Sequence, residues 1–146
     1  MHRRGTARKI RSSASRDAPW QPADAASALA RAGDRPAVLA VAEGRVQATS
    51  RAALLDLARG AAAAMRDAGV GRGDIVAIHA ANGPRWIAVG LAAGLIGAVF
   101  APLDAMSPLE DAVCEARRVG ARLFFTDAGP DARPQGADIR PLDALA

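Results

Sequence analysis

Read for its spacing of apolar and polar positions, the chain breaks into short blocks whose period switches between that of a helix and that of a strand. Residues 24–32, DAASALARA, begin on a capping residue and stop at Gly33, which predicts a short helix. The apolar runs 37–42 and 45–48 flank Glu43 and Gly44 and predict a hairpin lying at a sheet edge. From a cap at Thr49 or Ser50, the residues Leu54, Ala58, Ala61, Met65 and Ala68 recur at three- and four-residue spacing up to Gly69. That spacing predicts a helix with one apolar stripe and a left-handed glycine cap. Its other face, Arg51, Asp56, Arg59, Arg66 and Asp67, is expected in water.

Residues 71–74, Gly-Arg-Gly-Asp, predict a turn into the unbroken apolar run 75–79, which suits a strand covered on both faces of a parallel sheet. Asn82, Gly83 and Pro84 then open a helix with proline in its first turn. Trp86, Val89 and Ala93 line one side of it and Ile87, Leu91 and Leu95 another, so the helix is apolar nearly all round and is expected to need neighbours beyond this chain. A strand over 99–101 ends at Pro102. Ser107-Pro108-Leu109-Glu110 reads as a capping box. The helix after it is expected to bury Leu109, Ala112, Val113, Ala116 and Val119; acids open it and Arg117 and Arg118 close it before Gly120, in keeping with the helix dipole. A third parallel strand follows over 122–126, and a short edge strand near Ile139. Strand, helix, strand, helix, strand in this order predicts an α/β fold: a partial doubly wound parallel sheet with flanking helices.

Composition changes this picture in one respect. Of the 146 residues 51% are hydrophobic but only 3% aromatic, and alanine dominates the apolar set. Helices form readily from such a chain, but each packed position buries little area, at about 25 cal/mol per Å2. The formal charge of +4 is concentrated in Arg3, Arg4, Arg8, Lys9, Arg11 and Arg16, with no acid among them. A disordered basic leader is expected over 1–22, with a transit peptide as the alternative its composition leaves open. No aromatic side chains interleave with these cations, so stacking platforms for nucleic acid are lacking and no nucleic-acid partner is expected. The longest apolar stretch, 86–101, is interrupted by Gly90, Gly94 and Gly97 and is too short to span a bilayer. A single cysteine, Cys114, excludes an internal disulfide and fits a reducing, cytoplasmic setting; it has no partner in the sequence as a nucleophile or ligand.

Several residues invite a chemical reading. Gly69, Gly71 and Gly73 have the look of a phosphate loop, but they follow a helix and precede a strand, whereas phosphate loops run from a strand into a helix N-terminus. They read as turn glycines, and Arg72-Gly73-Asp74 as a chance match to an adhesion tripeptide. The one loop in the right direction, 80–83, has a single glycine and no lysine; Arg85 beside it reads as a solvent contact with phosphate binding as the alternative. His79 ends a strand with no Ser, Cys or carboxylate to partner it and reads as a structural histidine, and Asp104 as the residue that fixes the next turn.

Three segments resemble the adenylate-forming, AMP-dependent acyl-CoA synthetase/ligase family, which includes the adenylation domains of peptide synthetases and luciferases. Residues 97–104, GAVFAPLD, are similar to its A-G-x-A-Y-x-P-L-D motif, with Ile96 and Phe100 as departures. Residues 69–86 are similar to its G-V-G-x-G-D-x-V-A-I…N-x-P-x-W segment, with Gly83 where serine is frequent and Arg85 where an acid is. Residues 120–126 are similar to the strand that follows, while its T-Y-x-E-L motif is only faint in residues 50–54. The resemblance implies an N-terminal subdomain over 23–127, with 128–146 as a loop-rich tail of the same unit. It implies a full-length enzyme that uses ATP, Mg2+ and CoA to turn a carboxylate into an acyl-adenylate and then a thioester. The family's ATP loop, T-S-G-T-T-G-x-P-K-G, is not found in the sequence, and the only lysine is Lys9. No catalytic, cofactor-binding or metal-binding residue is therefore assigned here, and the expected partner is the remainder of the ligase, in cis or on another chain. A stand-alone α/β interaction module, one half of a split ligase and a small nucleotide-binding domain are the competing readings.

Overall fold

The structure, a computed structural model, describes residues 22–31, 33–42, 44–128 and 139–141. The expected leader, apart from Pro22, and most of the expected loop-rich tail lie outside the described residues.

Ten elements follow one another: α1 (Pro22–Arg31), β1 (Pro36–Ala42), β2 (Arg45–Ser50), α2 (Arg51–Asp67), β3 (Ile75–His79), α3 (Pro84–Ile96), β4 (Val99–Pro102), α4 (Leu109–Arg118), β5 (Ala121–Thr126) and β6 (Ile139–Pro141). Strands β3 to β6 form one parallel sheet in the order β4-β3-β5-β6. The chain thus lays down its central strand first, adds β4 on one side, and crosses to the other side for β5 and β6. This is the doubly wound α/β arrangement that the alternation of elements predicts.

Period-two alternation along the central strands sends side chains to two separate cores. Val76 and Ile78 of β3, with Leu123 and Phe125 of β5, pack beneath Ala61, Ala62 and Met65 of α2 and Val89, Ala92 and Ala93 of α3. On the opposite face Ala77 and Phe124 meet Ala112, Val113 and Ala116 of α4. Phe124 and Phe125 are the two largest fully buried side chains and point to opposite faces, so one dipeptide anchors both cores.

Three expectations are corrected at this level. The hairpin is not an edge of the main sheet: β1 and β2 pair antiparallel as a separate two-stranded sheet. It lies on the helices because Val38 packs against Leu54 and Ala58 of α2, Leu29 of α1 and Ala88 of α3. The second apolar side of α3 finds neighbours within this chain: Ile87 and Leu91 pack in part against that same cluster, so α3 has the sheet on one side and α2 with α1 on the other. Alanines make this possible, since Ala58 and Ala88 are fully buried where α2 and α3 approach. Third, Val119 is not core: it lies past the last turn of α4 and is 44% exposed.

The ends of the elements follow local chemistry. Ser50 caps α2, its Oγ accepting from the Ala53 N–H at 3.1 Å. Gly69 takes φ 75° after α2, and the Val70 N–H reaches back to the Met65 carbonyl at 2.9 Å, a Schellman ending. Ser107 and Glu110 do not form a capping box. No side chain caps α4, and the Ser107 hydroxyl donates instead to the Asp104 carbonyl at 2.7 Å. That carbonyl also accepts the Ser107 N–H, and the tight turn holds the hydroxyl away from the helix. Trp86 and Phe100 meet edge to face with centroids 5.1 Å apart, and Gly90 lets the ring of Phe100 sit where a Cβ would be only 3.3 Å from it.

Candidate functional site

In an open parallel sheet the position with the greatest capacity for ligands is the crevice beyond the carboxyl ends of the strands, where the winding reverses. Here the reversal lies between β3 and β5. Three loops meet at that end: 80–83 after β3, 103–108 after β4, and 127–128 after β5.

His79 closes β3 on the face that carries α4, since it alternates in phase with Ala77. It is 7% exposed, and its Nε2 lies 3.0 Å from the Ser107 carbonyl oxygen. A carbonyl only accepts, so Nε2 is the donor in this contact. Nδ1 is buried and has no hydrogen-bond partner among the described residues. His79 thereby ties the loop after β4 to the central strand, which agrees with its reading as a structural histidine. Asp104 fixes the same loop: its Oδ1 accepts from the Met106 N–H at 2.9 Å.

On the β5 side, Asp127 Oδ2 accepts from the Ala81 N–H at 2.9 Å and holds the loop after β3 against the end of β5. Thr126, buried and in register with His79, accepts from the Ala128 N–H at 3.1 Å. Asp127 was not singled out from the sequence. The signal available was a Thr-Asp pair at the carboxyl end of an apolar strand, where polar residues face the crevice and not the core.

The α3 N-terminus enters this end of the sheet with extended backbone at Gly83 and no side-chain cap. Arg85, exposed in its first turn, is itself engaged in an interaction. The carboxylates and hydroxyls around the crevice are thus occupied in joining loops. Among the described residues no three His, Cys, Asp or Glu side chains stand together as metal ligands. The crevice has the doubly wound framework that places ligands at this end of a sheet.

The glycine-rich turn lies at the opposite, amino end of the sheet. Asp74 Oδ2 accepts from the Gly71 N–H at 2.8 Å and stands 3.7 Å from Arg122 Nε, so the acid of the Arg-Gly-Asp tripeptide is engaged in the turn itself. Cys114 is exposed on α4 and away from both ends of the sheet. Arg51, expected in water, is half-buried and lines a groove on the outer side of the helices. No described helix is long and apolar enough to cross a membrane.

Comparison with known proteins agrees with this architecture. The N-terminal subdomain of Klebsiella oxytoca NpsA, solved in complex with 3-hydroxybenzoyl-AMSN, is similar over 85% of this chain and 30% of its own, at 27% identity and a TM-score of 0.66. NpsA-ThdA, an artificially fused adenylation-PCP di-domain from the same organism, is similar over 86% of this chain and 24% of its own, at 25% identity and a TM-score of 0.66. The fatty acid AMP ligase from Legionella pneumophila shares the fold at 15% identity, with a TM-score of 0.73 over 86% of this chain and 24% of its own. The chain therefore spans less than a third of these similar structures. None of the curated protein sequences matches it. A family model described as AMP-binding enzyme matches residues 25–145, nearly the whole described fold, and the chain belongs to that family.

Proposed function

We propose that this chain is the N-terminal part of an ATP-dependent ligase that adenylates an acyl or aryl carboxylate. In the whole enzyme a carboxylate oxygen attacks the α-phosphorus of ATP, the new P–O bond forms, and pyrophosphate leaves with the electrons of the broken bridge. The acyl-adenylate then passes its acyl group to the thiol of CoA, with AMP as the leaving group. The observation that carries this reading is the coverage: 85% of the chain is similar to 30% of the NpsA N-terminal subdomain, and the family model matches residues 25–145.

The described residues do not fit a Mg2+ or triphosphate site, having neither a ligand cluster nor a lysine. No step is assigned to them, and their part is scaffold. They hold the central strand, the crevice and the loops against which the remainder of the ligase, in cis or on a second chain, completes the site. The lone cysteine supports a cytoplasmic setting.

ATP–pyrophosphate exchange over a panel of aryl and fatty acids tests both parts. The isolated chain is expected to give none, and co-expression with the polypeptide encoded downstream of codon 146 is expected to give acid-dependent exchange. Exchange by the isolated chain above a heat-killed control overturns the scaffold role. No exchange by the reconstituted protein with any acid overturns the ligase reading.

A further inference from the structure

An open groove of about 390 Å3 lies between α1, β1, α2 and α3. Leu29, Val38, Leu54, Ile87 and Leu91 give it an apolar wall, and Arg51 is the one charged residue among those lining it. None of its lining residues belongs to the four-stranded sheet, and it shares no residue with the crevice at the carboxyl end.

Arg51 is placed against its own interest. It is the first residue of α2, where the helix dipole disfavours a cation, and it is half-buried beside apolar side chains. Its guanidinium has no ion-pair or hydrogen-bond partner among the described residues. The N–H groups of the first turn do not bind an anion in its place, because those of Arg51, Ala52 and Ala53 are taken by the Arg35 and Gly33 carbonyls and by Ser50 Oγ. A half-buried, unpaired guanidinium at the rim of an apolar groove matches one kind of molecule, an apolar body with a single carboxylate. At about 390 Å3 the groove falls in the ~300–1,000 Å3 range of small-molecule sites.

We propose that this groove binds an amphipathic monocarboxylate of the size of a medium-chain fatty acid, its chain lying on Leu54, Ile87 and Leu91 and its carboxylate paired with Arg51. The site is independent of the adenylating reading and stands or falls by binding alone.

Equilibrium dialysis of labelled decanoate against the full chain tests it, with decan-1-ol as the uncharged counterpart. Saturable one-to-one uptake is expected. Arg51→Gln is expected to weaken decanoate about tenfold, the worth of one charged hydrogen-bonding contact, and to leave decan-1-ol unchanged. This variant removes a cation from a helix N-terminus and is expected to fold. Leu91→Trp, and independently Ala28→Trp on the α1 side, fill the groove and are expected to abolish uptake of both ligands while circular dichroism shows native helix content. The proposal is overturned by the absence of saturable uptake, by uptake indifferent to Arg51→Gln, or by uptake that survives a folded groove-filling variant. It is also overturned if decanoate binds only after residues 1–21 are removed, since the chain itself would then be the occupant.

Discussion

Ser50 and Ser107 both stand at the entrance to a helix, yet their hydroxyls have opposite roles. Ser50 Oγ accepts from the Ala53 N–H and closes the first turn of α2; Ser107 Oγ donates backward to the Asp104 carbonyl. Replacing Ser50 by Ala is expected to lower unfolding free energy by about 1 kcal/mol in urea titrations. Glu110→Ala is expected to cost about 0.5 kcal/mol or less, the part due to the helix dipole, because no reciprocal cap is there to lose. A loss from Glu110→Ala as large as that from Ser50→Ala means that a capping box forms after all. The two serines also show where sequence is informative at this scale. A single capping residue before an apolar stripe is a local matter and was legible. Whether Ser107 turns toward its helix depends on Asp104 three residues earlier, and the four-residue motif does not contain that competitor. Arg51 was misplaced for a related reason: helical phase shows which face a residue occupies, but not that α1 and β1 come to lie over that face.

At the scale of elements, α3 is the structural centre. It lies on β3, β4 and β5 through Val89, Ala92 and Ala93 with the Trp86–Phe100 pair, and under α1 and α2 through Ala88, Ile87 and Leu91. Its apolar circumference was plain in the sequence. Its neighbours were not, because an all-round apolar helix states that it is covered and leaves open by what. The close approach of α2 and α3 rests on small side chains, so Ala88→Leu is expected to destabilise the fold by about 1–3 kcal/mol through overpacking. Thermal denaturation with full near-ultraviolet dichroism distinguishes this from a benign repacking, which leaves the midpoint unchanged. The hairpin is the converse case. Its strands were legible from Gly44 and the two apolar runs, but its attachment was not: it is fixed to the helix layer by Val38, while Leu39, Val41 and Val46 are 66%, 77% and 68% exposed on its outer face.

For the whole molecule, the sequence disclosed fold class and family through the strand–helix alternation and the segment 97–104, which supplies the glycine cap after α3, all of β4 and the turn beyond it. Family membership was legible even though the loop that binds ATP in that family is not in the sequence. The groove was not, since it is made by four elements that are distant along the chain. Among the described residues the sheet is covered asymmetrically: α2 and α3, with α1 and the hairpin over them, lie on one face, and α4 alone on the other.

The outer margin of β4 has a consequence for how such a sheet can grow. The Val99 and Leu103 N–H groups bond inward at 2.8 Å, to the carbonyls of Asp74 just before β3 and of Ile78 within it, so Phe100 and Pro102 turn their backbones outward. Proline has no N–H to offer, which leaves the amide of Phe100 as the lone outward donor along the four residues of β4. An approaching strand would find almost no template there. Pro102→Val supplies a second donor and is expected to make the sedimentation coefficient rise with concentration more steeply than that of the unaltered chain; an unchanged dependence would show that another feature guards this margin. On the β4 side, then, a single imino acid limits the addition of a further strand.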